Sequence, residues 1–129
     1  MKTKRNKMFS GTPWEPMVGY ARAVQVGDTV YVSGTTGTDP SGKVLAPGDA
    51  YAQTVQAIRN IENALNRLGL GLEHVVRTRI YLTEIDRWQD VAKAHAEFFG
   101  EVHPATSLIG VSRLVDPEML VEIEAVAVV

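Results

Sequence analysis

Apolar and polar positions alternate over residues 20–26, "YARAVQV", and again over 29–34, "TVYVSG". That period-two pattern predicts two strands, and Gly27-Asp28 between them is a turn pair suited to a hairpin. Residues 35–49, "TTGTDPSGKVLAPGD", are rich in Gly, Pro, Asp and Ser and predict a loop with a short strand at Lys43 to Leu45. The period then changes. Val55, Ile58, Ile61, Leu65 and Leu68 form a helical stripe, predicting a helix over about Ala50–Leu68 with Asp49 as cap and Gly69 as stop. Residues 74–82, "HVVRTRIYL", predict a strand with Val76, Thr78, Ile80 and Leu82 on one face and Arg77, Arg79 and Tyr81 on the other.

A second helix is predicted from Asp86, where Gln89 completes a capping-box-like pair. Its stripe is Trp88, Val91, Ala92, His95, Phe98 and Phe99, and Gly100 ends it. Residues 106–114 and 119–128 predict two closing strands joined by a loop holding Asp116-Pro117. The order is therefore β-β-α-β-α-β-β, with helices apolar on one side only. One sheet covered on one face by two helices is the natural packing. The other face carries Tyr81, Val126 and Val128 among Arg77, Arg79, Glu122 and Glu124, a mixture that predicts an oligomer interface.

The closing run "LVEIEAVAVV" poses the chemical question. Glu122 and Glu124 lie two apart and share a face with Val126 and Val128, while Val121, Ile123, Ala125 and Ala127 share the core face. Either the glutamates mark a solvated face, with Glu124 paired to Arg79 or Arg77, or a carboxylate is held in a cleft for proton transfer.

Composition narrows the classes. A chain of 129 residues with 45% apolar and 22% charged content predicts a single domain, residues 1–129. A net charge of −2 supplies no basic field for nucleic acid. Lys2, Lys4, Arg5 and Lys7 read as a frayed, solvated end. There is no cysteine, hence no thiol chemistry or disulfide. No apolar run has membrane-spanning length and the basic start lacks the apolar stretch of a secretory signal, so the expected compartment is cytoplasmic, with no membrane partner. No GxGxxG, GxxxxGK[ST] or GxSxG motif is present. His74, His95 and His103 are scattered, so no metal site is expected, and His95 falls on an apolar stripe as a packed, hydrogen-bonded residue. His103, before a proline, is a weak candidate for a cleft wall.

In combination, "VGYARAV" (18–24), "VYVSGTTG" (30–37), "AYAQTVQAIRNIENAL" (50–65), "VVRTRIYLTEI" (75–85), "AEFFGE" (96–101), "PATSLIGVSRL" (104–114) and "VEIEAVAV" (121–128) resemble the RidA (YjgF) family over nearly the whole chain. The resemblance implies a chorismate-mutase-like α/β (α+β) fold: a single mixed sheet with two helices on one face, assembled as a homotrimer around a central barrel. It further implies interface clefts that bind small molecules, and cofactor-free hydrolysis of reactive imines and enamines such as 2-aminoacrylate. By the same resemblance Tyr20, Ser33 and Gly34 line the cleft, and Glu122 positions or activates water. Thr106 departs from the pattern: the imine-deaminating subgroup has a carboxylate-binding arginine there, which a threonine hydroxyl does not replace. Leu108 and Ala92 also differ from a cysteine and an asparagine seen in relatives, and the loop at Val115–Glu118 is one residue longer.

Arg22 and Arg113 are the cations available to replace the arginine. Thr106 and Ser107 are expected to offer hydroxyls or backbone donors. Trp14 and Glu15, in a segment that in relatives runs near the cleft, would suit a neutral or cationic ligand; packing of Trp14 onto the sheet is the alternative. The expected activity is a cofactor-free, metal-free deaminase or hydrolase acting through Glu122. A trimeric small-molecule-binding protein without turnover is the alternative. Endoribonuclease activity, attributed to some relatives, fits poorly with the net charge.

Overall fold

A computed structural model describes residues 3–129. Its elements are β1 (Arg5–Met8), α1 (Trp14–Val18), β2 (Ala23–Val26), β3 (Thr29–Thr36), α2 (Ala50–Arg67), β4 (Val75–Leu82), α3 (Trp88–Phe99), β5 (Ala105–Gly110) and β6 (Val121–Val128). They form one six-stranded mixed sheet of order β1-β2-β3-β6-β4-β5. β6 runs antiparallel to both β3 and β4, and β5 runs parallel to β4. The two helices are the crossovers this arrangement requires. The closing strand is therefore central, which is why it is so apolar.

On the helix-covered face, Val30, Ile80, Leu82, Val121, Ile123 and Ala127 pack against Ile58, Ile61 and Leu65 of α2 and Val91 and Phe99 of α3. Burying each such side chain contributes about 1.5–3 kcal/mol against solvent exposure. α2 follows the expected bounds: the Asp49 carboxylate accepts from the Ala52 N–H at 2.9 Å, and Gly69 takes φ +81° at the stop. Inside α2, Gln53 is 1% exposed. Its amide donates to the Ala46 and Glu118 carbonyls, and its carbonyl accepts from the Leu120 N–H. One side chain thus fastens two loops to the helix.

Several expectations are corrected. Arg5 and Lys7 belong to no frayed end: Arg5–Met8 pairs antiparallel with β2, anchored by buried Met8, while Arg5 and Lys7 stay exposed, with exposed Lys4 just ahead of the strand. Charged side chains suit an edge strand because they deter further pairing. Lys2 lies outside the described residues. The short helix α1 was not expected. Val76 does not join Thr78, Ile80 and Leu82; an extra residue in β4 between Val75 and Arg77 puts Val75 inward and leaves Val76 47% exposed. α3 starts at Trp88, not Asp86. Residues Ile85–Arg87 form a 3-10 turn fixed by an Arg87–Glu84 ion pair, so Asp86 caps nothing and Trp88 is exposed. β5 ends at Gly110 rather than 114, and the expected strand at Lys43–Leu45 reduces to one bridge between Thr38 and Val44.

Candidate functional site

β3 carries one extra residue between Val32 and Thr35, opposite Ala125 and Ile123 of β6. This bulge falls on Ser33-Gly34 and turns the strand beside Glu122. The Ser33 hydroxyl donates to the Ala21 carbonyl at 2.7 Å. Gly34 is required by close approach, since a Cβ there would sit 2.8 Å from the Glu122 carboxyl carbon. Sheet alternation turns Glu122 to the open face, where Thr36 and Tyr81 are its cross-strand neighbours.

The Glu122 carboxyl is half-buried and has no hydrogen-bond partner among the described residues. Burial pushes its pKa above the usual value, the neighbouring Glu124 charge adds to this, and Arg22 opposes it. A carboxyl whose proton affinity is raised in this way is a stronger proton acceptor than a free one, which suits it to take a proton and return it.

Arg22 is the hub of the site. It is 6% exposed. Its Nη1 donates to the Gly34 carbonyl at 2.6 Å and to Thr35 Oγ1 at 3.1 Å, and its Nη2 donates to Tyr20 Oη at 3.0 Å. Its Nε lies 3.6 Å from a Glu15 carboxylate oxygen. Glu15 is 2% exposed and accepts from the Ser10 N–H, the Ser10 hydroxyl and the Thr12 hydroxyl. Burial alone would raise its pKa, but those hydrogen bonds and the Arg22 charge outweigh it and hold the pKa below the usual value. Glu15 thus supports Arg22 and does not line the cavity.

These groups border a cavity of about 640 Å³ whose wall includes Trp14, Tyr20, Arg22, Ser33, Gly34 and Glu122. Trp14 forms wall and also packs, its ring reaching the backbone at Gly42. Asn60 of α2 holds the floor by donating to the Thr36 and Thr38 carbonyls. Glu122 and Glu124 also border a smaller hollow of about 280 Å³ with Arg113 and Tyr81. Both candidate cations therefore share a hollow with Glu122, Arg22 the larger and Arg113 the smaller.

Within one chain Thr106 and Ser107 stand apart, on the far edge strand with β4 and β6 between them and β3. The Thr106 hydroxyl donates to the Pro104 carbonyl, so it accepts from Thr78, which in turn accepts from His95 Nε2. That chain makes His95 Nε2 a donor and holds the ring as a packed, hydrogen-bonded residue, with burial lowering its pKa. Ser107 accepts from Arg77. His103 is exposed, at φ +54°. Glu124 bonds the Tyr81 hydroxyl, although its register partner is Arg79. Among the described residues no three His, Asp or Glu side chains gather as a metal-ligating group, and no helix is long and apolar enough to cross a membrane.

The sequence pattern of the family described as Endoribonuclease L-PSP matches residues 11–129. The chain is similar to a Mycobacterium tuberculosis crystal structure described as a member of the highly conserved YjgF/YER057c/UK114 family: 47% identity, TM-score 0.89, with 98% of this chain and 100% of that one covered. It is 34% identical over 123 residues to mouse 2-iminobutanoate/2-iminopropanoate deaminase, covering 95% of this chain and 90% of that protein. It is 35% identical over 117 residues to the 3-aminoacrylate deaminase RutC of Acinetobacter baylyi, covering 91% of each. With the family pattern matched over residues 11–129 and the fold shared with its solved members, the chain belongs to the RidA (YjgF), or L-PSP, family, which includes deaminases of imines and enamines.

Proposed function

We propose that this protein is a cofactor-free deaminase of small imine or enamine metabolites, working in the Glu122–Arg22 cavity. The observation that carries the reading is the Glu122 carboxyl: half-buried, without a protein hydrogen-bond partner among the described residues, and beside a buried guanidinium on a cavity wall. The names of the mouse and Acinetobacter relatives support the reaction class.

Water adds to the C=N carbon while Glu122 takes its proton. Glu122 passes that proton to the nitrogen to give a neutral carbinolamine, then relays the hydroxyl proton to the nitrogen as the C–N bond breaks and the carbonyl forms, so one water is consumed per ammonia released. An enamine first takes a proton at carbon to become the imine.

The assembly we propose is a homotrimer closed through the uncovered sheet face. Exposed Tyr31 and half-buried Val126 face each other across β3 and β6 there. Thr106 and Ser107 would join the cavity only where the far sheet edge of a neighbouring subunit closes over it. A cytoplasmic setting is part of the same reading.

A second reading is a binding protein without turnover. It is favoured by Thr106, at the position where the family resemblance implies an arginine in the imine-deaminating subgroup, and whose hydroxyl is engaged within its own chain. Ammonia release from imines generated in situ by an amino-acid oxidase separates the two. We expect wild type to accelerate release and Glu122→Gln to lose roughly 10²-fold or more. Unchanged release with Glu122→Gln would remove Glu122 from the chemistry. Turnover confined to Thr106→Arg would favour binding.

A further inference from the structure

Buried Arg22 and half-buried Tyr20 carry donor capacity that the protein leaves unused. A guanidinium has five N–H donors. Two on Nη1 go to Gly34 and Thr35, one on Nη2 goes to Tyr20, and Nε faces Glu15. One Nη2 N–H has no acceptor among the described residues. Tyr20 Oη accepts from Arg22 at 3.0 Å, and its own O–H likewise has no acceptor among them. Two unmatched donors, one on a permanent cation, therefore stand 3.0 Å apart, and both residues border the cavity.

Donors left free on a cavity wall can receive an acceptor from the ligand, and a bond to the nearly buried Arg22 cation is a strong one. A carboxylate supplies two oxygens in one plane, matching two adjacent donors. Glu15 is no rival for them, since its oxygens already receive Ser10 and Thr12. The stem of Arg22 has little freedom, because Gly34, Thr35 and Tyr20 all hold its head group.

We propose that Arg22, positioned by Glu15 and paired with Tyr20, is the carboxylate anchor of this cavity and takes the place of the arginine absent at Thr106. The substrates are then imines bearing a carboxylate, and the product 2-oxo acids bind at the same anchor. This rests on reading the cavity as the imine site, but it is tested by binding, which needs no turnover.

The first probes are 2-oxobutanoate and its neutral amide, titrated calorimetrically into wild type. The acid should bind roughly tenfold or more tightly than the amide. Tyr20→Phe, which removes only the hydroxyl, should narrow that preference, and Arg22→Gln should abolish it. Because Arg22→Gln risks the fold, the side-chain nitrogen resonances of Arg22 are followed in wild type during the same titration and should shift to saturation. Equal binding of acid and amide, no binding of either, or stationary Arg22 resonances would each overturn the anchor. Acid-selective binding with no ammonia release would leave the anchor standing and defeat the deaminase reading. Ammonia release without acid preference would do the reverse.

Discussion

Glu122 and Glu15 are two buried-side carboxyls with opposite titration, and each makes a stability prediction. The folded protein raises the pKa of Glu122 above the usual 4.5. The folded state therefore holds its proton to higher pH than the unfolded chain, and stability falls as pH rises from about 4.5 through the folded value. Glu122→Gln removes that loss. Its melting temperature should exceed wild type at pH 7–8, and the gap should close toward pH 4, as thermal melts across pH would show. Glu15 runs the other way: its pKa is lowered, so its contribution is present above the usual value and lost as pH falls through the folded one. Glu15→Gln should cost about 1–3 kcal/mol at pH 7 and less in acid, read from urea melts. At this scale the face of Glu122 was legible, because strand alternation assigns it. The role of Glu15 was not. "TPWEP" reads as a loop with an aromatic and an acid, and nothing in it shows that the acid is enclosed by Ser10, Thr12 and Arg22. Arg22 could be named as a cation but not placed until the hairpin register put it beside the β3 bulge.

At the scale of elements, propensity and periodicity located α2, the β2–β3 hairpin and β6, where long stripes, a cap or strict alternation leave one solution. They missed β1, whose four residues carry three polar side chains and only Met8 to bury. They also misplaced Val76, since a bulge shifts every later residue to the opposite face and leaves no mark in composition. Gln53 was invisible for a related reason: a polar residue on a helix reads as surface unless its partners are known. Gln53→Leu strands the Ala46 and Glu118 carbonyls and the Leu120 N–H. The buried Leu120 N–H alone costs about 1–3 kcal/mol when stranded and the two part-buried carbonyls add less each, so the substitution should destabilise by roughly 2–4 kcal/mol in denaturant melts. Asp49→Ala, which removes one exposed cap, should cost only about 1 kcal/mol by the same assay.

For the whole molecule, one sheet face lies under two helices and the other presents Tyr31, Val126, Val128 and a charged cluster. That asymmetry was legible from the chain, because both helices are apolar on one side only. The separation of Thr106 and Ser107 from the cavity was not, since the strand order that inserts β6 between β3 and β4 is a property of pairing and not of local pattern. If the open face joins three copies, Tyr31→Lys should shift the mass measured by light scattering from three chains toward one. Imine turnover should fall with it. A variant that stays trimeric would show that Tyr31 lies outside the interface. The central claim is that Glu122, on the wall of this cavity, drives hydrolysis of an imine to a carbonyl and ammonia. Ammonia release from an oxidase-generated imine, compared between wild type and a Glu122→Gln variant of the same assembly mass, tests it most directly. The account predicts acceleration by wild type and a loss of roughly 10²-fold or more in the variant; equal rates for the two, or none for wild type, would contradict it.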